Sequence, residues 1–71
     1  MEKVAAHVTG TVAKVEKRAG DRVSAGEVVV VLESMKMEMH VESPVAGTVR
    51  EMRCAEGQAV AEGDVLLLIE T

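Results

Sequence analysis

Phe, Trp and Tyr are absent from the 71 residues, cysteine and proline occur once each, and the twelve acidic residues outnumber the eight basic ones, for a formal charge of −4. Each shortage narrows the field. With no ring to stack on a base and a surplus of carboxylates where phosphate neutralisation would need cations, no nucleic-acid partner is expected. The lone Cys54 leaves no intrachain disulfide, and Met1-Glu2-Lys3 leads into no apolar signal-type run, so the cytoplasm is the expected compartment. The longest apolar stretches, Val28 to Leu32 and Val65 to Ile69, have five residues each, against the roughly 20 of a membrane-spanning helix. No membrane partner is expected. A chain of this length buries only about 60% of its unfolded surface, which leaves little material for a deep cleft beside a core. One domain, residues 1–71, with no catalytic site of its own is the expectation.

All six glycines pair at one offset of 37 residues: Gly10 with Gly47, Gly20 with Gly57, Gly26 with Gly63. At that offset residues 8–34 lie over 45–71, and Val8/Val45, Thr11/Thr48, Val12/Val49, Val23/Val60, Val28/Val65 and Glu33/Glu70 are identical as well. Two copies are too few for a solenoid, so the repeat predicts two halves closing one core about a pseudo-twofold axis. Within each half the order is strand, turn, short strand, turn, strand. Frequent glycine and valine disfavour helix, and Gly20 and Gly26 mark turns with φ above zero. The fold class is all-β: eight short strands in a flattened barrel of two sheets.

The repeat matches Glu33-Ser34 with the terminal Glu70-Thr71 and leaves residues 35–42 as the join between halves. A two-residue hairpin at Met35-Lys36 would set Ser34 opposite Met37, Glu33 opposite Glu38 and Leu32 opposite Met39. Val30, Leu32, Met39 and Val41 then face inward, and Glu33, Glu38, His40 and Glu42 face outward. Neither Met nor Lys is a usual residue for such a tip. A local rule broken at a single place is what a functional site looks like.

Glu33-Ser34-Met35-Lys36-Met37-Glu38 resembles the attachment motif of biotinyl domains, the biotin carboxyl carriers of biotin-dependent carboxylases, whose usual form is Glu-Ala-Met-Lys-Met. Pro44 to Val49, Glu56 to Val60 and Glu62 to Leu66 also follow that family, so the resemblance covers the chain from about Val8 to Glu70. It implies a barrel-sandwich hybrid, a flattened barrel of two four-stranded sheets with the attachment hairpin at one end. It implies covalent biotin on Lys36 as the cofactor, and Glu33, Met35 and Met37 as the residues a ligase recognises. A solvated lysine is a poor nucleophile at neutral pH, so the resemblance further implies a biotin protein ligase that presents biotinyl-adenylate for Lys36 to attack, forming an amide. The finished arm has roughly ten bonds and reaches about 12 Å. It would carry a carboxyl group from a biotin carboxylase to a carboxyltransferase acting on an acyl-CoA or related acceptor, with the isolated carrier monomeric and tethering supplying local concentration.

The related lipoyl domains place a lysine at the same tip, usually within Asp-Lys-Ala. Met35 and Met37 favour biotin, with the alternatives a lipoyl carrier of a 2-oxoacid dehydrogenase or glycine-cleavage type system, or acceptance of both groups. Ser34 departs from the usual alanine, and His7 stands where the family often has proline. The protruding loop of some bacterial acetyl-CoA carboxylase carriers and a Pro/Ala-rich linker are both missing, as in free-standing biotin/lipoyl attachment proteins or an excised carboxylase domain. The lipoyl-like part of efflux adaptors is split by a long helical insertion, which two residues cannot supply.

His7, His40 and Cys54 fit no metal-ligand spacing and no nucleophile arrangement, so no metal site is expected. Cys54 reads as a small packing residue in a strand beside Ala55, Met39 as inner-face packing, and Glu56, Glu62 and Asp64 as a solvated face open to docking.

Overall fold

A computed structural model describes residues 1–71. Eight strands and no helix follow one another: β1 (Glu2–Ala5), β2 (Gly10–Val15), β3 (Arg22–Val23), β4 (Val28–Ser34), β5 (Met37–Glu42), β6 (Gly47–Met52), β7 (Ala59–Val60) and β8 (Val65–Glu70). They form two four-stranded antiparallel sheets, in the order β1-β8-β6-β3 and β5-β4-β2-β7. The all-β expectation and the strand count hold.

The two halves are interlocked rather than stacked. β8 and β6 from the second half form the middle of one sheet, and its edges β1 and β3 come from the first half; in the other sheet the roles are reversed. The backbone bonds outside the ladders repeat this exchange at the 37-residue offset. Gly20 N–H donates to the Val49 carbonyl and Gly57 N–H to the Val12 carbonyl, both at 2.8 Å. Val49 N–H donates to Asp21 and Val12 N–H to Gln58, again both at 2.8 Å. Gly26 to Ser43 and Gly63 to Ala6 make a third such pair.

β1 therefore has a mate in the second half: Val4 faces Leu67 as Val41 faces Val30, and Val4 and Val41 are both buried. That corrects the reading of 35–42 as the unmatched join. Residues 39–42 repeat β1, and only the hairpin tip and the residues beside it have no counterpart. The signal was faint because Val4/Val41 is the one identity in that stretch.

Four turns carry the chain around the barrel, and each has a glycine with φ between +86° and +97°. In the turn from Arg18 to Asp21, Asp21 N–H donates to the Arg18 carbonyl at 3.0 Å, and an Asp21 carboxylate oxygen accepts the Arg18 N–H at 3.0 Å. A glycine at the third position with positive φ is the type II pattern. Its mate is built likewise: the Gln58 side chain accepts the Ala55 N–H at 3.1 Å. Asp64 closes its own turn by accepting the Ala61 N–H at 2.9 Å. Asp64 is thus a turn-closing residue, where a merely solvated carboxylate was expected.

With no rings available, aliphatic side chains fill the interior: Val12, Val29, Val30, Leu32, Val49, Leu66, Leu67 and Ile69 are almost wholly buried. Val29 next to Val30, and Leu66 next to Leu67, break the alternation of a strand, in which neighbours face opposite sides. The reason is a β-bulge: the register skips Val29 between Val28 and Val30, and skips Leu66 where β1 passes from Leu67 to Val65. An extra residue re-aims its neighbour, so two successive apolar side chains enter one core. Truncating Leu66 to alanine there would cost about 2–5 kcal/mol.

Candidate functional site

The β4–β5 hairpin has the register the sequence predicts: Ser34 opposite Met37, Glu33 opposite Glu38, Leu32 opposite Met39. Leu32, Val30 and Val41 are buried and Met39 packs against the core, while Glu33, Glu38, His40 and Glu42 are exposed. Inside this ladder the two tip residues have φ of +53° for Met35 and +65° for Lys36. Positive φ at both central residues is the type I′ turn, whose twist suits a hairpin but which ordinarily uses Asn and Gly. They are the only non-glycine residues with positive φ in the chain. Left-handed backbone costs a residue with a Cβ roughly 1–2 kcal/mol, so the tip holds an unfavourable pair where a cheaper sequence exists.

Both flanking methionines point away from the core. Met35 is 92% exposed and Met37 61%, which is far from the usual packing use of Met. The Lys36 ammonium is exposed and makes no ion pair or hydrogen bond, although Glu33 and Glu38 lie across the ladder from each other nearby. These two carboxylates directly oppose each other, an arrangement that destabilises a sheet. Glu70, the mate of Glu33, is different: Arg50 Nη1 lies 3.2 Å from its Oε1. The residue matching Arg50 in the first half is Ala13, so the same glutamate is tied at one end of the barrel and free at the end that carries Lys36.

The base of the hairpin is clamped. Ser34 Oγ donates to the Thr9 carbonyl at 2.9 Å, and Gly10 lies so close beneath that a Cβ there would run into the Glu33 carbonyl oxygen. In the sequence Ser34 stands out only as a small departure from alanine, and its hydroxyl is the sole hint of this contact.

The remaining candidates are elsewhere. His7 is exposed in the bend between β1 and β2, and His40 is exposed on edge strand β5. Cys54 lies in the loop after β6 rather than in a strand, half-buried against the core. Burial pushes its thiol above the usual range, the reverse of what a nucleophile needs. Glu56 and Glu62 are both exposed: a Glu56 carboxylate oxygen accepts the Val15 N–H at 3.2 Å, whereas the Glu62 side chain is solvated as expected and only its backbone N–H is engaged, donating to Thr9 Oγ1 at 3.3 Å. No His, Cys, Asp or Glu side chains gather into a metal-holding group, and no pocket opens in the surface.

The geometry is thus a barrel that presents the unpaired amine of Lys36 on a methionine-bracketed turn, with no cleft around it. Comparison with known proteins agrees. The family model described as "Biotin-requiring enzyme" matches residues 2–69. The Biotin/lipoyl attachment protein of Bacillus subtilis is 44% identical over 64 residues, 90% of this chain and 88% of that one. Pyruvate carboxylase of the same organism is 40% identical over 67 residues, 94% of this chain, yet the chain spans only 6% of that enzyme's length. Among solved structures, urea carboxylase of Kluyveromyces lactis superposes with a TM-score of 0.91 at 33% identity, over 97% of this chain and 6% of that one. The matched portion is a small carrier domain with no catalytic site of its own, and the chain belongs to the biotin/lipoyl family of attachment domains.

Proposed function

We propose that Lys36 is the attachment point of covalent biotin, and that the chain is a biotin carboxyl carrier. The observation that carries this is the unpaired, exposed amine of Lys36 in a left-handed two-residue turn between two exposed methionines. The residues present fit the group: an exposed amine free of partners is open to acylation. When bound, biotin supplies the ring nitrogen that takes up and releases a carboxyl group. The chain's own residues hold the lysine. The β4–β5 ladder and the Ser34 and Gly10 contacts fix the base of the turn, and Glu33, Met35 and Met37 are the surface a biotin protein ligase reads.

A biotin carboxylase and a carboxyltransferase are the partners this role requires. The carboxylase relatives, of which the chain matches a small part, support that reading. A monomeric carrier in the cytoplasm is the form proposed. The flanking methionines favour biotin over lipoate; a lipoyl role, or both, is the second reading, supported by the 44% identical Biotin/lipoyl attachment protein.

Intact mass after co-expression with a biotin ligase tests the proposal. One biotinyl adduct that binds streptavidin and is lost in Lys36→Arg, with the fold kept, is the expected result. A lipoyl adduct alone would move the protein to the second reading, and an adduct that survives Lys36→Arg would refute the site.

A further inference from the structure

We infer that Ser34 is a positioning residue for Lys36, its hydroxyl holding the tip of the hairpin in the left-handed geometry that presents the amine; the inference rests on Lys36 being the attachment point. The turns that shape the barrel obey the pseudo-twofold relation in their backbone bonds. The Ser34 bond does not. Ser34 Oγ donates to the Thr9 carbonyl at 2.9 Å, and Thr9 Oγ1 in turn accepts the Glu62 N–H at 3.3 Å, which links the hairpin to the β7–β8 turn through one residue. The matching positions in the other half are Thr71, Ala46 and Ala25. Ala46 has no hydroxyl to accept with, and Thr71 makes no such bond. The barrel closes at that end without the relay, so the fold does not require it. It occurs at the end that carries Lys36.

Its position matters because the two arms of the hairpin are unequally held. β4 is an interior strand, and Ser34 is its last residue before the turn; β5 is an edge strand with nothing beyond it, and Met37 is mostly exposed. The tip therefore depends on its entering arm. Ser34 is the one residue of the hairpin whose side chain makes a hydrogen bond, and Gly10 presses against the same place, with the Ser34 Cβ 3.3 Å from where a Gly10 Cβ would sit. Met and Lys at φ of +53° and +65° have lower-energy alternatives nearby. Releasing the entering arm would let the tip sample them. A partner that reads one tip geometry would then meet only the competent fraction, so its apparent affinity falls by that fraction while the chemistry of the competent form is unchanged.

The test compares Ser34→Ala and Ser34→Val with Ser34→Thr. Val and Thr have nearly the same shape and differ by the hydroxyl. Backbone 15N relaxation and amide exchange on the unmodified chain, and biotin-ligase kinetics with the chain as substrate, are measured together. The expected result is a loosened tip at Met35 to Met37 in the Ala and Val variants, with exchange at Leu66 and Leu67 unchanged. The ligase KM for the carrier should rise roughly three- to tenfold, with kcat within about twofold, and Thr should restore both. A tip as ordered in Ala and Val as in the wild type, or a wild-type KM despite a loosened tip, overturns the inference. If the wild-type chain takes lipoate and no biotin, the biotin reading fails by itself. Relaxation of the tip and KM with a lipoate ligase then decide the role of Ser34 by the same criteria.

Discussion

The Lys17 ammonium lies 2.7 Å from one carboxylate oxygen of Glu27, and the other oxygen of that carboxylate accepts the Ser24 N–H at 2.9 Å. Glu27 thus closes its own turn and ties it to the chain leaving β2. The pair belongs to the first half alone, since the matching residues are Cys54 and Asp64. The hydrogen bond to Lys17, and then the one from Ser24, hold the Glu27 carboxyl below its ordinary range; the bond to Glu27 holds Lys17 above its own.

A pH dependence follows from those directions. A carboxyl depressed in the folded state adds stability above its unfolded value, and that stability is lost as pH falls through the folded value. For the raised lysine the contribution is present below its unfolded value and is lost as pH rises through the folded one. Glu27→Gln keeps an acceptor for Ser24 and removes the ion pair. Its deficit against the wild type in urea denaturation should be constant from about pH 5 to about pH 10 and shrink below about pH 4. A deficit unchanged at pH 3 would remove the ion pair from the account.

Gly10 and Gly47 are needed for closeness, not for φ. A Cβ on either would strike a carbonyl oxygen, of Glu33 and Glu70 respectively, and on Gly47 it would also come 2.9 Å from Ile69 Cγ2. Gly10→Ala and Gly47→Ala should each destabilise by about 1–3 kcal/mol, as overpacking does. Chemical denaturation measures this; wild-type midpoints would mean the strands separate freely there.

Gly20 and Gly57 show the opposite case. Their φ values are +97° and +87°, and an added Cβ would meet nothing within 4 Å. The cost of Gly57→Val is then conformational, about 1–2 kcal/mol, and Gly57→Asn should recover part of it because asparagine tolerates left-handed backbone. Equal losses for Val and Asn in thermal melts would point to a collision after all.

The tip should trade stability for chemistry. Replacing Met35-Lys36 by Asn-Gly supplies the preferred type I′ pair and should raise stability by about 1 kcal/mol while abolishing attachment. Exchanging Met35 and Lys36 keeps composition and charge and moves the amine to the other left-handed corner. Stability should change by less than about 0.5 kcal/mol, and ligase modification should fall sharply. Charging at the wild-type rate on the new lysine would show that position within the turn does not select the site.

The glycines at one offset determined the two halves and the turns between short strands, because left-handed turns are a local demand that a glycine meets wherever it stands. The misfit of Met35-Lys36 between two alternating strands likewise located the hairpin, its register and its outward lysine without any knowledge of distant contacts. Which strands lie side by side was decided only by closure of the barrel. The sheets exchange edges, so β1 lies against β8 and Met39–Glu42 repeats β1. Val29 and Leu66 enter the core through bulges that no alternation rule could foresee, Cys54 falls just past a strand end, and Ser34 meets Thr9 across 25 residues. Each of these depends on what a distant segment places opposite. A chain read in order shows the hydroxyl of Ser34, but the carbonyl that receives it arrives only when the two sheets pack.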